Sequence, residues 1–138
     1  GRRAVCHAFQ KEGITCELPG LLPFGIYTIP EIAMIGETEE ALTRKGIPYE
    51  SGCAYFHEVA RGQIIGDVHG MLKLLFDRKT RHILGVHIVG ERASELIHIG
   101  QAVMSYGGTI DYFKDAVFNY PTLSLAYKEA ALNGFNKL

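Results

Sequence analysis

Tryptophan is absent from the 138-residue chain, and cysteine occurs only as Cys6, Cys16 and Cys53. An odd set with no Cys-x-x-Cys pair argues against a disulfide framework and a thioredoxin-like centre. The three thiols read as small hydrophobes in a reducing, intracellular setting. No apolar run approaches the roughly 18 residues that a membrane helix needs. The opening Gly1-Arg2-Arg3-Ala4 is not followed by the apolar core of a secretory signal, so a cytoplasmic chain with no membrane partner is expected. Neither sign of charge dominates: 14 Lys plus Arg against 15 Asp plus Glu leave a net charge of −1. That balance lacks the basic excess that neutralising phosphates demands, and nucleic acid is not an expected partner. An initiator Met is missing as well, which suggests a piece of something longer.

Chemical signatures are equally scarce. Of sixteen glycines no two are spaced Gly-x-Gly, and no Gly-x-x-x-x-Gly-Lys loop exists, so neither device for cradling a pyrophosphate is present. The six histidines include no His-Glu-x-x-His, and His82 and His87, an odd number apart, point to opposite faces of a strand. No metal site is expected. His98 lies one helical turn from Glu95, a spacing that suits a structural hydrogen bond better than acid–base work. Ser51, Ser94, Ser105 and Ser124 lack a nucleophile elbow. No catalytic residue is therefore assigned.

What remains is a chain 47% hydrophobic and 21% charged, with seven Phe and seven Tyr, enough to bury one core. Residues 2–11 read as a helix without a cap at its start. Pro19, Gly20, Pro23, Gly25 and Pro30 make 17–30 an extended connector with little regular structure. A strand is expected over 29–36, then a helix over 38–46 with Thr38 as N-cap and Gly46 as C-cap. Residues 49–56 read as a strand interrupted by Gly52, and 57–66 stay open. The clearest element is an antiparallel hairpin, 71–76 and 83–89, turning at Asp77-Arg78-Lys79-Thr80, apolar on both faces. A helix over 91–106 carries one apolar stripe through Leu96, Ile97 and Met104 and a second through Ile99, Ala102 and Tyr106. It must be covered on two sides, on one by the sheet of the hairpin and on the other by a later helix or by a partner chain. Short helices are expected over 109–115 and 123–132, the latter with Pro121 at its first position and Gly134 as its stop. Strands followed by helices, without regular alternation, read as α+β with an antiparallel sheet packed on helices.

Three segments carry a resemblance: Gly25-Ile26-Tyr27-Thr28-Ile29-Pro30-Glu31-Ile32, then 83–97 (ILGVHIVGERASELI), then Phe118-Asn119-Tyr120-Pro121-Thr122. In that order they resemble the C-terminal dimerisation domain of the pyridine nucleotide-disulfide oxidoreductases. The resemblance implies that 1–24 is the end of a flavin-domain helix plus connector and 25–138 the dimerisation domain. It further implies a homodimer whose full-length form holds FAD, NAD and NADP in upstream domains, with none bound by this fragment alone. Disulfide reductases of the family place a His before the Pro of the last motif and a Glu five residues after that His; here those positions hold Tyr120 and Leu125. A phenol is a poor proton shuttle at neutral pH and Leu cannot orient it. Glu129, one turn beyond, lies roughly 6 Å along the helix, too far to substitute. The last motif, with Ala126-Tyr127 and Ala130-Ala131-Leu132-Asn133-Gly134, instead resembles the transhydrogenase branch, which passes hydride from NADPH to NAD through FAD. Asn119, Tyr120 and Pro121 would then approach the FAD of the partner subunit. The alternatives are a dihydrolipoamide dehydrogenase-like disulfide reductase with an altered dyad, and a non-catalytic α+β binding module.

Overall fold

The computed structural model describes residues 2–9 and 20–138. The end of the first expected helix, the start of the connector and Cys16 lie outside the described residues. Helix α1 (Arg2–Phe9) is followed by β1 (Phe24–Ile26), β2 (Glu31–Gly36), α2 (Glu39–Lys45), β3 (Tyr49–Tyr55) and a 3-10 turn over Phe56–Glu58. Then come α3 (Ala60–Ile65), β4 (Met71–Asp77), β5 (Ile83–Gly90), α4 (Ala93–Ser105), α5 (Ile110–Asp115) and α6 (Leu125–Phe135).

The strands form one five-stranded sheet in the order β1-β2-β5-β4-β3, every neighbouring pair antiparallel. The α+β expectation holds, and the hairpin is its centre. Asp77 closes the turn by accepting from the Lys79 and Thr80 amides at 2.8 and 2.6 Å. Leu72 faces Ile88 and Leu74 faces Val86 across the β4–β5 ladder, all buried beneath the helices. Strand alternation puts Lys73, His87 and Leu75 on the opposite face, where α2 lies, with Leu42 and Leu75 fully buried there. Helix α2 begins and ends where its caps predict: the Thr38 hydroxyl accepts from the Ala41 amide, and Gly46 turns left-handed at φ 65°.

Helix α4 packs over β2 and β5, α6 over β3 and β4, and α5 against α6. The α4–α6 junction is made by Tyr127, fully buried, whose hydroxyl donates to the Leu96 carbonyl at 2.8 Å and accepts from the Gly100 amide at 3.1 Å. Burial holds this phenol protonated far above the usual tyrosine range.

Several expectations are corrected. Part of the connector is a strand: β1 pairs with β2 in the register Gly25↔Ala33, a pairing between segments that neither one signals alone. Strand β2 starts at Glu31, after Pro30, and not at Ile29. The open stretch 57–66 is the 3-10 turn and α3. Gly52 does not interrupt β3: a Cβ there would lie 2.0 Å from the Ala130 carbonyl oxygen, so glycine is what lets α6 approach the strand. Helix α4 starts at Ala93, with Glu91 and Arg92 in the preceding turn. Pro121 precedes α6 by four residues and is not its first position, and Gly134 lies within the helix, against Phe76 and Gly52, so it stops nothing.

Candidate functional site

Helix α4 lacks a cap of its own. Its N-cap position is Arg92, in left-handed conformation at φ 60°, and no side chain there accepts from the first turn. The acceptor comes from 63 residues earlier. Glu31, at the start of β2, takes the Ser94 amide at 3.0 Å and the Ser94 hydroxyl at 2.6 Å on one carboxylate oxygen. These two bonds, the hydroxyl's first, hold the Glu31 carboxyl below its usual range. A second carboxylate steadies the same corner: Asp67 accepts from the Gly70 amide at 2.8 Å and the Glu91 amide at 2.7 Å, joining the loop after α3 to the end of β5.

Beside this corner runs a cleft of about 950 Å³, walled by Ile29 and Pro30 on one side, by Leu96 and Ile99 of α4 on another, and by Thr122 and Leu123. Ile99 also lines an adjoining groove of about 330 Å³ with Val117, Phe118 and Asn119. Ile29 is fully exposed, Val117 97% and Tyr106 93% exposed, and Ala102 is exposed as well. Part of the second apolar stripe of α4 therefore faces outward. The later helix α6 meets α4 through Tyr127.

Asn119, Tyr120 and Pro121 sit at the rim of this surface on an anchored loop. The Thr122 hydroxyl donates to the Asn119 carbonyl at 2.8 Å, Lys128 of α6 donates to the Ala116 carbonyl at 3.0 Å, and Leu123 is buried. The Tyr120–Pro121 peptide is cis. Asn119 is exposed, Tyr120 is 73% exposed, and Pro121 is half-buried. Leu125 opens α6 half-buried, and Glu129 is exposed one turn on. His98 pairs with Gln101, at 2.8 Å, in place of Glu95.

On the other face of the sheet His87 lies between Met34 and Lys73 in register, and Lys73 is ion-paired to Glu39 of α2. Both ring nitrogens of His87 are buried without a partner. Burial first, then the Lys73 charge, pushes its pKa below the usual histidine value. Among the described residues no three His, Cys, Asp or Glu side chains are placed to hold a metal ion.

Motif reading singled out 119–121 but assigned no role to Glu31, Ser94 or Asp67. One signal pointed to Glu31: a helix that starts after Arg92, with no capping side chain at its N-cap, needs an acceptor from elsewhere.

The family model described as the dimerisation domain of pyridine nucleotide-disulphide oxidoreductases matches residues 22–131. Soluble pyridine nucleotide transhydrogenase from Mycobacterium tuberculosis is 55% identical over the whole chain, and that from an Enterobacter species 52% identical over 99% of it. The chain spans 29% and 30% of those relatives' length. Among solved structures, an HOCl-induced flavoprotein disulfide reductase from Escherichia coli superposes on 95% of the chain and 30% of its own length, with a TM-score of 0.84 at 21% identity. LpdA from M. tuberculosis superposes on 94% of the chain and 28% of its own length, with a TM-score of 0.81 at 26% identity.

Proposed function

The chain belongs to the dimerisation domains of the pyridine nucleotide-disulphide oxidoreductases, and from that premise we propose that it joins two subunits of a flavoprotein transhydrogenase. The parent passes hydride between NADPH and NAD through FAD, in the cytoplasm, as a homodimer. The observation that carries this reading is the identity of 52–55%, over essentially the whole chain, to soluble pyridine nucleotide transhydrogenases. Residues 1–24 close the flavin-domain helix and its connector, and 25–138 form the dimerisation domain.

Within that assembly the cleft surface around Ile29 and Ile99 is the subunit interface, because it is apolar surface left open in this chain. Asn119, Tyr120 and Pro121, displayed on a loop fixed by Lys128 and Thr122, approach the FAD of the partner subunit. The segment suits a lid over a flavin held elsewhere and no cradle for one, since it offers neither a glycine-rich turn nor a cationic side chain of its own. FAD supplies the hydride relay; this chain's residues exclude water and position the loop. Tyr120 and Leu125 at the dyad positions support a reaction without thiol proton transfer over the disulfide-reductase alternative.

Light scattering on the purified chain tests the interface, and a strict monomer at 100 μM would sink it. Transhydrogenase assay of the FAD-loaded parent, with dithiol and disulfide substrates as the comparison arm, tests the activity. Reduction of a disulfide substrate faster than NAD would replace the transhydrogenase reading with the reductase one.

A further inference from the structure

The two walls of the larger cleft come from distant parts of the chain. Ile29 and Pro30 lead into β2, whereas Leu96 and Ile99 belong to α4. Glu31, next to Pro30, bonds both the amide and the hydroxyl of Ser94, one helical turn or less before Leu96. No side chain of α4 performs this task, because its N-cap position is the left-handed Arg92. Beyond the Glu31–Gly90 pairing of β2 with β5, the first turn of α4 is thus tied to the Ile29–Pro30 wall by the Glu31 carboxylate.

We propose that Glu31 is a positioning residue for subunit association: its carboxylate latches Ser94 and so sets the cleft walls at the spacing a second copy of this chain recognises. The inference rests on reading the cleft surface as the subunit interface. It differs from that reading in assigning the shape of the interface to a residue that need not touch the partner. A two-fold pairing uses the latch twice, so its loss is felt in both halves of the contact.

The test is a variant series on the chain, with the dimer dissociation constant measured by sedimentation well below the unfolding temperature and amide exchange followed at Ser94. Glu31→Ala is expected to weaken association about tenfold or more, because the unlatched walls must be ordered when the second copy binds, and to speed exchange at Ser94. Glu31→Gln keeps an oxygen that accepts from both donors and is expected to restore association to within about threefold of wild type. A role confined to stability would shift the unfolding temperature and leave the dissociation constant of the folded chain unmoved. Wild-type association in Glu31→Ala with faster exchange at Ser94 overturns the proposal, and so does unchanged exchange. If Glu31→Ala does not fold, Ser94→Ala decides: it removes the hydroxyl alone and must weaken association in the same direction. A wild-type chain that never dimerises overturns the interface reading itself, an outcome distinct from a wild-type dimer that the variants leave intact.

Discussion

The two edges of the sheet are treated in opposite ways. Along β3 the outward backbone groups are sealed by side chains: Lys137 donates to the Ser51 carbonyl at 2.8 Å, Asn133 accepts from the Cys53 amide at 3.0 Å, and Glu58 accepts from the Tyr55 amide at 3.1 Å. Along β1, three residues long, no hydrogen bond from outside the sheet is made among the described residues. Its side chains Phe24 and Ile26 are exposed, and so is Ile29 just beyond. A sheet edge meant to stay in water is blunted, because an open ladder invites another chain. The blunted edge belongs to the fold of one subunit, and the open, oily edge lies beside the cleft surface read as the interface.

The largest expected effect comes from breaking the sealed side. Gly52→Val drives side-chain atoms into the Ala130 carbonyl and Gly134 amide, which are backbone and cannot yield, so α6 must lift and carry Asn133 and Lys137 off the edge. Urea denaturation is expected to show a loss of about 3 kcal/mol or more. Next is Tyr127→Phe, which leaves the Leu96 carbonyl and Gly100 amide without their buried partner; about 1–3 kcal/mol should be lost in the same measurement. Asn133→Ala with Lys137→Ala unseals β3 without moving α6. It is expected to cost about 1 kcal/mol and to add concentration-dependent aggregation beyond the dimer, seen by light scattering.

The open side should respond differently. Ile29→Asp is expected to change unfolding free energy by no more than about 0.5 kcal/mol, as exposed substitutions do, while abolishing self-association. A large loss of stability there would mean that the two sides are not divided as described. Acid offers a last and smallest contrast, on the sheet face away from α4. The folded-state pKa of His87 lies below its unfolded value near 6.5, so the unfolded chain takes up the proton first. Stability is therefore complete above that value and falls as the pH drops through the window beneath it. His87→Leu should flatten this part of the profile, read as midpoint against pH.

What could be read in the sequence was local. Thr38 and Gly46 bracket their helix, and Asp77 sits at its turn, because each acts on amides within a few residues. The elements misjudged were set by distant partners. The breakers of 17–30 hide β1, whose strand character comes from β2. Gly134 looks like a stop but serves a close approach to Phe76 and Gly52. Pro121 looks like a helix opener but sits in a cis turn ahead of the helix. The candidate site divides in the same manner: Asn119, Tyr120 and Pro121 were accessible through a contiguous motif, while the Glu31–Ser94 contact spans 63 residues and leaves no trace in either neighbourhood beyond a helix missing its cap.

The hydroxyl of Tyr127 gives this chain an optical alarm. With no tryptophan to dominate the ultraviolet spectrum, absorbance comes mainly from seven tyrosines, and a phenolate absorbs at longer wavelength than a phenol. Clamped between α4 and α6, this ring stays un-ionised in alkali that strips the proton from a free phenol, near pH 10. A delayed step in an alkaline titration, one tyrosine in size, would mark the moment at which those two helices part.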